Sequence, residues 1–94
     1  MVKEHVMITI TPGQEESFEQ KMEKGKALLL TAEGATEVTL LRGIEHTSTF
    51  VLMIDWDSVD YHTAFTTTPE FKEFGALVGP LFASKPEMQH FYLT

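Results

Sequence analysis

The stretch Thr49-Phe50-Val51-Leu52-Met53-Ile54-Asp55-Trp56-Asp57-Ser58-Val59-Asp60-Tyr61-His62 changes its periodicity partway along. From Thr49 to Trp56 it alternates: Phe50, Leu52, Ile54 and Trp56 share one side, Thr49, Val51, Met53 and Asp55 the other. Both sides are largely apolar, which predicts a strand covered on both faces. Asp57 or Ser58 then offers a helix N-cap, and Tyr61, His62 and Phe65 follow in a helical turn before Thr66-Thr67-Thr68 interrupts it. A large aromatic, a cap and a titratable imidazole meet where a strand hands over to a helix, and such a corner can line a pocket.

Toward the N-terminus, residues 35 to 45 read as a strand that turns through Glu45-His46-Thr47-Ser48 into the quoted one. Residues 2 to 10 form another, with Val2, Val6, Ile8 and Ile10 on one face and Glu4 the exception among them. Between these strands lies a helix. Thr11-Pro12-Gly13-Gln14 reads as its capping box, Phe18, Met22, Gly25 and Leu29 as its inward stripe, and Gly34 as its stop. Gly25 weakens a helix by about 1 kcal/mol relative to Ala, which suggests a close contact there. Toward the C-terminus, Pro69 opens a further helix with Phe71, Phe74, Leu77 and Val78 inward. Gly79-Pro80 breaks it, and a last strand runs from Met88 to Leu93.

The order β-α-β-β-α-β, with the second helix split, predicts an α+β, ferredoxin-like fold: a four-stranded antiparallel sheet with helices on one side. Its first and third strands are central and its last pairs with its first. The uncovered face carries Met7, Val51, Met53, Phe91 and Leu93, so the expected state is a homodimer closing an α+β barrel between two sheets.

Ninety-four residues predict a single domain over 1–94. A net charge of −7 argues against nucleic acid and anionic membrane as partners. The chain has no cysteine, which removes disulfides and thiolate chemistry and is compatible with the expected cytoplasmic location. No signal-peptide core and no apolar run near the ~20 residues of a membrane span is present. The four histidines show no local metal-ligand spacing, so no metal site is expected. Phosphate loops, nucleophile elbows and dinucleotide fingerprints are also missing.

Phe50 to His62, followed by the threonine run and Pro69-Glu70-Phe71, resembles the antibiotic biosynthesis monooxygenase family. The opening Thr11-Pro12-Gly13-Gln14-Glu15 and the closing Glu87-Met88-Gln89-His90-Phe91 are similar to it as well. The resemblance covers essentially the whole chain. It implies a dimeric α+β barrel with a pocket between sheet and helices in each subunit. It also implies oxidation of anthrones or hydroquinones by O2 with no metal, flavin or other cofactor. Haem-degrading relatives rely on an Asn in the first strand, a Trp along the second helix and a His beyond it. Here the two helical positions are Phe65 and Gly75, and the first strand has no Asn.

Cofactor-free oxygenation needs a base, a wall for the aromatic and exclusion of water. A base works best with a pKa near operating pH, which favours imidazole. His62 and His90 are the candidate catalytic residues, facing each other if the last strand pairs with the first; the plainer role is a half-buried histidine on a backbone carbonyl. Trp56, Tyr92, Phe65 and Arg42 are the candidate substrate contacts. Trp56 would be a flat wall with an N–H handle, Tyr92 a hydrogen-bonding hydroxyl, Phe65 a pocket wall and Arg42 a partner for an enolate. Core packing for the two rings and an ordinary ion pair for Arg42 are the competing roles. Two further functions stay open: a cyclase or isomerase using the same imidazole for proton transfer, and a non-catalytic small-molecule binder.

Overall fold

Alternation fixes where each strand turns its side chains. A computed structural model describes residues 1–94 and contains four strands: β1 Val2–Thr9, β2 Ala35–Arg42, β3 Thr49–Trp56 and β4 Glu87–Tyr92. They form one antiparallel sheet in the order β2-β3-β1-β4, so β1 and β3 are central, as the sequence predicts. The helices are α1 Glu15–Leu29, α2 Val59–Phe65 and α3 Pro69–Val78, and the last runs into a 3-10 turn, Gly79–Leu81. Ile8, Phe50, Leu52, Ile54 and Trp56 point from the sheet into the core and meet Phe18, Met22 and Leu29 of α1 and Val78 of α3. Burying such side chains is worth about 1.5–3 kcal/mol each.

Gly25 of α1 is the close contact its composition suggested. A Cβ there would stand 3.0 Å from Met22 Sδ and 3.1 Å from Phe74 Cε1. The second helix is split where the threonines end. Thr68 accepts a hydrogen bond from Phe71 N, and Pro69 occupies the first turn of α3.

Three boundary readings are corrected. Thr11-Pro12-Gly13-Gln14 is not the capping box of α1 but a β-turn before it: Gln14 N donates to Thr11 O at 2.9 Å and Gly13 has φ +93°. Proline followed by a positive-φ glycine is the pattern of a type II turn. The helix begins at Glu15, whose carboxylate accepts from Gly13 N. Gly34 is not the stop of α1, which ends at Leu29. Gly34 has φ +85°, and a Cβ on it would overlap the Tyr61 ring, so it brings the loop before β2 against α2. Ser58 stands at the cap position of α2 but its side chain makes no capping bond. In addition, β2 ends at Arg42, and Gly43 N donates to Thr49 O at 2.7 Å where the hairpin closes.

Candidate active site

Position 4 breaks the apolar phase of β1, and register decides what it meets. Glu4 stands across from Ile54 of β3 on one side and His90 of β4 on the other. It therefore faces the helices and is only 5% exposed. A buried carboxylate must be hydrogen-bonded or paired. Trp56, the last residue of β3, donates from Nε1 to Glu4 Oε1 at 2.9 Å. Its N–H handle is therefore already engaged, leaving the ring as an apolar wall.

Helix α2 lays His62 over the same point. His62 Nε2 lies 3.7 Å from Glu4 Oε1, and His90 Nε2 lies 4.0 Å from it. The two imidazoles stand 4.5 Å apart, centroid to centroid, edge to face. His90 Nε2 is buried without a hydrogen-bond partner. Burial pushes the His62 pKa below its ordinary 6.5; Glu4 opposes that shift and His90 reinforces it. Local spacing shows no metal pattern, yet β1, α2 and β4 bring one carboxylate and two imidazoles together, with donor atoms all within 4.8 Å of one another.

Beside this group lies a cavity of about 250 Å³ between the sheet and the helices. Its lining is mostly apolar and includes Leu52, Ile54, Trp56, Phe65 and Phe74, with Glu4 and His62 as its polar members. Phe71, which the helical spacing predicts to point inward, also lines the cavity but is partly exposed, as is Met88, and both stand at its rim. Trp56 sits 5.6 Å from His62 and 6.1 Å from Phe65 between ring centroids.

Of the residues singled out from sequence, His62, His90, Trp56 and Phe65 come together here. Arg42 and Tyr92 do not. Arg42 pairs with Phe50 at the far end of β3 from Trp56, six residues or roughly 20 Å along the strand. There it donates to Glu19 Oε1 at 2.6 Å and to Thr47 O at 2.7 Å, with its guanidinium over the Phe50 ring. Tyr92 ends β4 and is 78% exposed. Glu4 is the residue that sequence reading left without a role. The available signal was a lone carboxylate in an apolar phase.

The family model described as antibiotic biosynthesis monooxygenase matches residues 1–77. The chain is 33% identical to a protein from Bordetella bronchiseptica provisionally named an antibiotic biosynthesis monooxygenase. Its crystal structure superposes with a TM-score of 0.95 over 99% of this chain and 96% of that one. The uncharacterized protein YczJ of Bacillus subtilis is 27% identical over 97% of both chains. SnoaB, a cofactor-independent oxygenase from Streptomyces nogalater, shares the fold with a TM-score of 0.85 over 98% of this chain and 91% of that one, at 21% identity.

Proposed function

The chain belongs to the antibiotic biosynthesis monooxygenase family, and from that premise we propose that it is a monooxygenase that oxidises a small quinol- or anthrone-like aromatic with O2 and no cofactor. The observation that carries this reading is a carboxylate-backed pair of imidazoles beside an aromatic-walled cavity. His62 Nε2 accepts a proton from the substrate hydroxyl or its activated carbon, and Glu4 stabilises the imidazolium that results. The electron-rich anion then gives an electron to O2, and the radical pair combines into a carbon-bound peroxide anion, which takes the proton back from the His62 imidazolium. Loss of water leaves a carbonyl, so the substrate supplies all the electrons and no outside reductant is needed. Trp56 and Phe65 hold the ring and keep out water.

The cavity volume favours the small end of the substrate class. A cavity of about 150 Å³ holds benzene, so about 250 Å³ suits one or two rings better than an extended polycycle. Arg42 and Tyr92 have no part in this reading, since neither lines the cavity. We further propose a homodimer. Met7, Leu41 and Phe91 on the uncovered sheet face are each about half exposed, which supports a partner sheet there. No helix is long and apolar enough to cross a membrane, and the cysteine-free composition is compatible with a cytoplasmic setting, which belongs to the proposal.

The test is O2 uptake with a panel of benzo- and naphthohydroquinones and anthrones. The expected result is uptake with a one- or two-ring member, abolished in His62→Ala. No protein-dependent uptake with any member sinks the oxygenase reading. Two imidazoles in contact could also act as an acid–base pair without oxygen, as in a cyclase or isomerase. Solvent proton exchange into a substrate without O2 uptake would select that alternative.

A further inference from the structure

We propose that Glu4, His62 and His90 form a binding site for one divalent transition-metal ion of the zinc, cobalt or iron(II) class. Two imidazole nitrogens and one carboxylate oxygen make a borderline donor set that suits these ions better than magnesium or calcium. Glu4 Oε1 stands 3.7 Å from His62 Nε2 and 4.0 Å from His90 Nε2. Donors held about 2.0–2.2 Å from one ion lie roughly 3–3.5 Å from each other. All three donors lie within 4.8 Å of one another, so closure by up to roughly 1–2 Å completes the set.

Three independent features favour an ion there. His90 Nε2 is buried with no partner, and an unsatisfied buried polar atom is costly. Glu4 is buried with no lysine or arginine beside it, since those in ion pairs reach Asp55, Glu73 and Glu19 instead. The Trp56 indole donates to Glu4 Oε1, an outer-shell bond of the kind that orients a ligating carboxylate. Three protein ligands leave the ion an open position, and the apolar cavity lies beside it.

An ion held this way occupies the His62 lone pair, so metal binding and proton acceptance by His62 exclude each other. The site would then be a point of inhibition for metal-free turnover. The inference stands apart from the oxygenase reading, because binding is measured without substrate.

The experiment titrates metal-stripped protein with Zn²⁺ by calorimetry and with Co²⁺ by visible absorption, and follows the imidazole nitrogens by NMR. Expected are one ion per chain, Co²⁺ ligand-field bands that Zn²⁺ displaces, and Zn²⁺-induced shifts of His62 and His90 but not His46. Glu4→Gln and His90→Gln should each weaken binding by more than tenfold, Trp56→Phe by roughly tenfold, and His46→Ala not at all. Absence of saturable binding, or unchanged affinity in the Glu4→Gln/His90→Gln double variant, overturns the site. Should a variant fail to fold, the NMR of the unaltered chain still decides: Zn²⁺ shifting His5 or His46 while His62 and His90 stay fixed also overturns it.

Discussion

On the uncovered face of the sheet, Asp55 accepts both bonds of Lys3, at 3.0 and 3.2 Å, across the β1–β3 ladder. On the helix-covered face of the same two strands, Glu4 has an indole N–H and two imidazoles and no permanent cation. Both carboxylates are buried, at 8% and 5% exposure. Asp55 is matched by a lysine ammonium across the ladder, the arrangement of a structural ion pair. Glu4 is matched by two imidazoles, groups able to exchange a proton. The neighbours of a buried carboxylate, more than its burial, separate a structural role from a chemical one.

The sharpest break of this contrast is His62→Ala. Turnover per substrate should fall by about 10²–10⁴, the range of a lost general base, with KM changed much less than kcat. A variant that keeps full activity removes His62 from the mechanism. Next, Phe91→Glu would place a charge on the proposed sheet-to-sheet interface, where an unmatched charge costs several kcal/mol. Sedimentation should show self-association weakened roughly a hundredfold; an unaltered dimer, or a chain that is monomeric before mutation, places the interface elsewhere or denies it.

Third, Trp56→Phe leaves Glu4 Oε1 without its donor, and chemical denaturation should register a loss of about 1–3 kcal/mol. Fourth comes pH. Because burial lowers the His62 pKa, the acid limb of kcat/KM should have its midpoint below 6.5. Glu4→Gln removes the group that opposes the lowering, so it should move the midpoint further down; an upward move contradicts the geometry. The unfolded chain binds this proton more readily than the folded one. The His62 contribution to stability is therefore intact above about 6.5 and is lost as pH falls from there through the folded pKa. The smallest effect on turnover is expected at Lys3→Met, within about twofold. Stability should still fall by roughly 1–3 kcal/mol in chemical denaturation, because the variant leaves the buried Asp55 carboxylate without its cation.

Much of the fold was legible because it rests on local periods. Alternation from Thr49 to Trp56 matches β3 residue for residue, and the threonines before Pro69 mark the split between α2 and α3. At Thr11–Gln14 the sequence does not separate a helix cap from a turn, because proline near a helix start and proline in a type II turn use the same residues. Only the left-handed backbone of Gly13 separates them. Arg42 shared a face with core residues, but the face says nothing about which end of the strand a cavity occupies.

The chain's own chemistry determined the strands, the helices, the face on which each side chain lies and the family resemblance, since these follow from neighbours within a few residues. Tertiary structure alone decided that Glu4 meets His62, His90 and Trp56. Those partners come from the other half of the chain, and their meeting depends on antiparallel register and on the placement of α2 over β1 and β4. The same packing left the cavity beside them, a property of how the elements fit together and of no single residue.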